Sequence, residues 1–180
     1  MWTAWRKLRQ CWTLPEAGEE VQALLLNRQL SSFFRIVQGY TVTNVLTAIP
    51  LVLAVWPGPD PWATMAWLLL YILVAVGWGA HARRCLRRAG SDALVLSHRD
   101  LHATTRWCVM VASAWSVGLV AISREISSPG MLLLLSASTA GIMSTGALVC
   151  AVVPLVSLAW LVVLLVGCYF IVTGFFFSFK

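Results

Sequence analysis

The chain has 180 residues, of which 59% are hydrophobic and only 11% are charged, and its formal net charge is +6. A soluble domain carries roughly 25% charged residues, so this composition excludes an ordinary water-soluble protein. It predicts an all-α polytopic membrane helix bundle with about five transmembrane helices.

Residues 1–39 form a cytoplasmic N-terminal segment with a basic start but without the apolar core of a cleavable signal peptide. Thr13 and Glu16 have the spacing of a capping box, which satisfies free amides at a helix start. The apolar residues that follow recur at spacings of three and four: Leu26, Leu30, Phe33, Phe34 and Val37. This stripe predicts either an amphipathic helix on the inner leaflet or a cytoplasmic extension of the first span, and both interpretations remain open.

Residues 40–180 contain five apolar segments, each long enough for a bilayer core about 30 Å thick. The predicted spans cover residues 40–56, 62–80, 105–122, 130–153 and 155–177. The turn from Pro57 to Pro61 divides the first two spans because it is too rich in proline for a helix. Pro154 marks the turn between the last two, and residues 81–104 form a basic cytoplasmic linker.

Basic residues predict the orientation of these spans. Nearly all of the 13 lysines and arginines lie before the first span or between the second and the third, so the positive-inside rule places the N-terminus in the cytoplasm. Four arginines that follow the second span are expected to meet lipid headgroups and fix this orientation: Arg83, Arg84, Arg87 and Arg88. Because every basic cluster is juxtamembrane, the net charge does not indicate nucleic-acid binding. Aromatic belts are expected at Trp56 and Trp62 outside, and at Trp78 and Trp107 inside.

Catalysis requires ionisable or nucleophilic side chains in one place, and the sequence indicates no such cluster. None of the seven acidic residues lies in the middle of a span, which argues against an ion-coupled transporter. His98 and His102 share a helix face, but no third metal ligand is evident, and phosphate-binding and nucleophile motifs are absent. Cys108, Cys150 and Cys168 lie in spans and are expected to behave as small apolar residues. We therefore expect no enzyme activity, no cofactor and no metal site.

The fourth span has the clearest pattern. Small residues form two adjacent rows along it: Ser136, Ala137, Ala140, Gly141, Ser144 and Thr145. Small side chains let helix backbones approach closely, and hydroxyl groups can bond across the contact. The rows predict a tightly packed central helix, with Ser113 and Gly118 of the third span as partners, or else a ligand cavity or a dimer seam. Asn44 and Thr47 are the other polar side chains at depth, and Asn44 is a further candidate for ligand binding or helix packing.

Several stretches of the chain occur together in a pattern that is typical of one group of membrane proteins. These stretches are Leu26-Asn27-Arg28-Gln29-Leu30, Asn44 with Trp56-Pro57, Arg83-Arg84-Cys85-Leu86-Arg87-Arg88, Trp107, Ser113-Ala114-Trp115-Ser116-Val117-Gly118, Ala140-Gly141-Ile142-Met143-Ser144-Thr145-Gly146-Ala147 and Pro154. In these features the chain resembles the N-terminal multi-spanning sensor modules of bacterial signalling proteins with diguanylate cyclase (GGDEF), EAL phosphodiesterase or histidine kinase output domains. The resemblance implies a location in the bacterial inner membrane.

The number of spans departs from this group. Such modules have an even number, so that the last helix returns to the cytoplasm, whereas a fifth span here would end outside. Either a sixth helix and an output domain lie beyond this sequence or the module acts alone, and the output activity is not assigned to this chain.

Two classes of function follow from these predictions. The first is a sensory or regulatory module that perceives a small or lipophilic signal or the state of the bilayer and passes it to a cytoplasmic signalling output. Its expected partners are the lipid bilayer and either a second copy in a homodimer or a cytoplasmic signalling domain. The alternative is a small accessory subunit that binds another membrane protein. A transporter subunit is a third hypothesis, weakened by the missing intramembrane carboxylate.

Overall fold

A computed structural model describes residues 19–56, 61–89, 98–124 and 128–178. These ranges contain five α-helices and no strand. They are α1 (Glu19–Val55), α2 (Pro61–Ala89), α3 (His98–Ser123), α4 (Pro129–Cys150) and α5 (Pro154–Ser178). The all-α bundle predicted from composition is confirmed. The capping box at Thr13 and most of the proline-rich turn lie outside the described residues.

Four of the helices are long and apolar enough to cross a membrane. Their apolar spans are Leu24–Val55, Pro61–Arg88, Arg99–Ser123 and Pro129–Cys150. The fifth helix contributes a shorter apolar stretch, Pro154–Phe170. The chain is therefore a multi-pass membrane protein in contact with lipid, while a fifth crossing and the cytoplasmic N-terminus stay predictions.

Helix α1 unites the predicted apolar stripe and the predicted first span in one helix of 37 residues. Phe33 and Phe34 are fully buried, and their rings contact Trp78 and His81 of α2. The stripe thus belongs to the protein core and does not lie in lipid, which favours the interpretation as an extension of the first span.

The second and third helices are longer than predicted. Helix α2 continues through the arginine-rich segment to Ala89, and α3 begins at His98, so most of the predicted linker is helical. Arg87 and Arg88 in the last turn of α2, like Asp100 in the first turn of α3, complement the helix dipoles. Arg88 also pairs with Asp100 at 3.7 Å, which joins the two helices at what we call the basic end.

The helices pack in the ring order α1–α2–α3–α5–α4, and α4 closes the ring against α1. Among the described residues, glycines permit close approaches of helices at four places, Gly77, Gly118, Gly146 and Gly167. A Cβ at Gly118 of α3 would collide with the indole of Trp67 of α2, and one at Gly146 of α4 would collide with the indole of Trp160 of α5. Bulky aromatic side chains therefore fill the interior of the ring.

The aromatic belts are only partly as predicted. Trp56 and Trp62, at the proline-rich turn, are exposed, in keeping with an interfacial position. Trp78 is completely buried, so its assignment to an inner belt was wrong. It faces the phenyl ring of Phe33 and the phenol of Tyr40 because the α1 extension covers this part of α2.

Candidate functional site at the centre of the bundle

Tyr40 of α1 organises the centre of the ring. Its hydroxyl donates to the backbone carbonyl of Ile142 in α4 at 3.3 Å. Its ring makes edge-to-face contacts with Trp78 of α2 and Trp160 of α5, at centroid distances of 6.5 and 5.9 Å. Four helices therefore meet at this one phenol.

Asn44 lies one turn further along the same face of α1, beside the Tyr40 hydroxyl. It is only 3% exposed, and the polar group nearest its amide is the Tyr40 hydroxyl, to which the amide nitrogen Nδ2 makes no hydrogen bond of regular geometry. An unpaired buried donor costs about 1–3 kcal/mol, and lipid on the outside offers no water to relieve it. A better-placed acceptor at the centre of the bundle would therefore stabilise the Asn44 amide.

Three buried indole N–H groups also find no acceptor in the part of the chain that the structure describes. The nitrogens Nε1 of Trp78, Trp115 and Trp160 are buried and find no partner within the described part of the chain. Trp78 and Trp160 flank Tyr40, while Trp115 packs with Trp67 and Tyr71. The interior is consequently rich in donors and poor in acceptors, which suits an oxygen atom of a ligand or a bound water.

Two thiols complete the centre, one from α3 and one from α4. Cys108 of α3 and Cys150 of α4 are both fully buried and free, and both lie near the Tyr40 hydroxyl. The sulfur of Cys108 contacts the thiol of Cys150 and lies 3.6 Å from the carbonyl oxygen of Val156 in α5. All five helices thus border one site, which we call the Tyr40–Asn44 centre.

The predicted small-residue rows of α4 do not face this centre. All six residues are exposed: Ser136, Ala137, Ala140, Gly141, Ser144 and Thr145. A Cβ at Gly141 would meet no atom within 4 Å. The hydroxyls of Ser136 and Thr145 donate to carbonyls of their own helix. The prediction that these rows pack within the chain was wrong, because α4 turns its opposite face inward.

The packed face of α4 uses a different set of residues. Ile142, Gly146, Val149 and Cys150 are buried, and Gly146 lies against both Trp160 and Tyr40. Gly118 was expected to contact α4, but it packs against Trp67 of α2. The small residue that brings α4 close to its neighbours is therefore Gly146 and not Gly141.

Sequence patterns singled out only Asn44 of the residues at the centre. Its spacing of four from Tyr40 put both side chains on one face of α1, and this was the available signal. Tryptophans far from the span ends, such as Trp115 and Trp160, were a second signal. The neighbouring helix that each tryptophan contacts can be identified only from the three-dimensional structure.

The basic end carries a second polar cluster. The Cys85 sulfur lies 3.7 Å from Nε2 of His81 and 3.9 Å from Oδ1 of Asp100. Within the ranges that the structure describes, no group of three His, Cys, Asp or Glu side chains is arranged to hold a metal ion. His102 is exposed on α3, and the side chain of His98 lies outside the described set. The four arginines proposed for headgroup contact are exposed on the last turns of α2: Arg83, Arg84, Arg87 and Arg88.

Comparison with known proteins adds no relative from which a role could be transferred. No protein-family model, curated protein or solved structure matches the chain. The Tyr40–Asn44 centre and the exposed face of α4 are therefore interpreted from their own geometry.

Proposed function

We propose that this chain is a membrane-embedded sensory module that binds a small lipophilic ligand at the Tyr40–Asn44 centre. The observation that supports this function is the buried Asn44 amide, which makes no hydrogen bond of regular geometry and lies where all five helices meet. In a core built only for packing, an apolar side chain of similar shape would serve as well as this poorly paired amide. In a binding site, the same amide can donate a hydrogen bond to the ligand.

The walls of the centre define the chemistry of the ligand. The rings of Tyr40, Trp78 and Trp160 offer flat apolar surfaces, while the Asn44 amide and the indole N–H groups offer donors. A mostly apolar molecule with an acceptor oxygen, such as a carbonyl or ether, satisfies both. Such a molecule can reach the site through the bilayer.

Helix α2 provides a route from the centre to the basic end. It runs without interruption from Pro61 to Ala89, so a displacement of Trp78 by ligand moves the whole helix. One turn beyond Trp78, the His81 ring stacks with Trp107 of α3 at 6.3 Å, and Arg88 reaches Asp100 in the first turn of α3. The output of the module is then a change in how α2 and α3 meet at the predicted cytoplasmic surface.

Switching requires the ligand to prefer one packing of the helices over the other. A tenfold difference in affinity shifts the balance between the two packings by about 1.4 kcal/mol. The Tyr40–Ile142 hydrogen bond, at 3.3 Å, is a contact of about that strength between α1 and α4. The resemblance to bacterial sensor modules agrees with this proposal, and a cytoplasmic signalling domain is the partner it implies.

The test replaces the Asn44 amide and asks whether the ligand is lost. We expect the wild-type chain, purified from native membranes into nanodiscs, to carry a co-purifying lipophilic molecule detectable by mass spectrometry. The Asn44→Leu variant should retain at least tenfold less of it while remaining folded, as checked by circular dichroism.

Thr64→Val is the matched control because Thr64 is equally buried but bonds to the Pro61 carbonyl at 2.9 Å, in the first turn of α2. This variant should retain the molecule. Equal retention by Asn44→Leu, or no bound molecule in the wild type, would contradict a ligand site at the centre.

A second candidate function is supported by a separate observation on α4. Its small-residue rows are exposed, as expected of a face that is covered only in a complex with another membrane helix. The chain would then act as an accessory subunit, or the sensory module would form a homodimer through this face.

A further inference from the structure

A shallow, open groove on the surface of α3 lies apart from the Tyr40–Asn44 centre. Its volume is about 430 Å³, and its lining residues are His102, Thr105, Arg106, Val109 and Met110. They follow one another at helical spacings of three and four, so they form a continuous stripe along one face of α3. The stripe begins close to the basic end and runs into the apolar part of the helix.

The polarity of the groove changes along its length. His102 and Arg106 are exposed cationic or hydrogen-bonding groups at the end nearer to the helix start. Val109 and Met110 provide apolar surface one turn deeper, and Met110 is 47% exposed. At a rise of about 1.5 Å per residue, Arg106 and Met110 are separated by roughly 6 Å along the axis. One molecule can therefore touch both ends.

Within the described residues, no acidic side chain forms an ion pair with Arg106. In the described ranges the ion pair at this end of the bundle joins Arg88 to Asp100, and it leaves Arg106 aside. An arginine at the membrane surface is stabilised when it meets an anionic oxygen, and its planar guanidinium suits the two oxygens of a phosphate.

We infer that this groove binds an anionic phospholipid. The phosphate accepts hydrogen bonds from the Arg106 guanidinium and from the His102 ring, and an acyl chain lies along Val109 and Met110. A soluble phosphate would use only the polar end of a groove whose walls are mostly apolar. A zwitterionic lipid would bring its own cation close to Arg106. Charge and apolar lining together therefore favour the anionic lipid.

The experiment measures lipid retention by the full chain in native mass spectrometry, with phosphatidylglycerol and phosphatidylcholine as probes. We expect the wild type to retain phosphatidylglycerol in preference to phosphatidylcholine. Arg106→Gln should weaken phosphatidylglycerol binding about tenfold, the typical consequence of losing one charge-assisted contact. Met110→Ser should weaken it to a smaller extent.

Arg99→Gln is the matched control because Arg99 is also exposed on α3 but does not line the groove. It should bind phosphatidylglycerol like the wild type. Equal losses in Arg99→Gln and Arg106→Gln would show a general charge effect and overturn the site. Full retention by Arg106→Gln, equal binding of the two lipids, or displacement of the lipid by inorganic phosphate would also overturn it.

Discussion

Helices α3 and α4 have similar apolar sequences but opposite roles in the bundle. Half of the apolar span of α3 is buried inside the protein, whereas only 17% of that of α4 is. Helix α3 lies between α2 and α5, while α4 closes the ring and presents its small residues outward. In a membrane, apolar character alone does not distinguish a buried face from a lipid-facing one, since lipid is as apolar as the protein interior.

The largest expected effect sharpens the contrast between the two faces of α4. Gly146→Leu should destabilise the protein by about 3 kcal/mol, because the new side chain would overlap the Trp160 indole and its Cβ would lie 2.6 Å from the Tyr40 hydroxyl oxygen. Gly141→Leu should leave stability nearly unchanged, since its Cβ meets only open space. Thermal unfolding in nanodiscs measures both, and equal losses would mean that α4 is rotated.

A smaller effect examines the centre where α1 meets α4. Tyr40→Phe keeps the aromatic packing but removes the hydroxyl that donates to Ile142. We expect a loss of about 1 kcal/mol, the usual net value of one intramolecular hydrogen bond. Thr41→Val is a suitable control because the Thr41 hydroxyl donates within α1, to the Val37 carbonyl at 2.7 Å. A larger loss in Thr41→Val than in Tyr40→Phe would argue against the interhelical bond.

The smallest effect on stability is expected at the exposed face of α4, where association is the relevant measurement. Gly141→Leu should reduce self-association or partner capture, measured by cross-linking in native membranes, because a bulky side chain keeps helices apart. Gly39→Leu is the matched control, since Gly39 is an exposed glycine of α1 that also has no atom near its Cβ position. Unchanged association in both variants would remove the case for an interface on α4.

The sequence predicted the helices well because a bilayer imposes their length. It also located the basic clusters and one member of the central site, Asn44. The C-terminal end of α2 was predicted too early and the N-terminal end of α3 too late. For α2 the reason is that arginine is a good helix former and nothing in residues 81–89 breaks a helix. The orientation of α4 could not be predicted, as it carries small or apolar residues on every side. The contacts of Tyr40 could not be predicted either, because they depend on the order of the helices around the ring.

The hydrogen bond from Tyr40 to Ile142 is accepted by a main-chain carbonyl, and its formation therefore depends on the position of α4 along α1. A backbone carbonyl is present at every position of α4, so the bond is indifferent to which side chain stands at 142 but sensitive to how far α4 has slid along α1. An equivalent carbonyl returns only after one full turn, about 5.4 Å away. Intermediate positions leave the phenol without its acceptor. Sliding of α4 against α1 is therefore favoured in discrete steps, a behaviour that would give a signal two well-separated states.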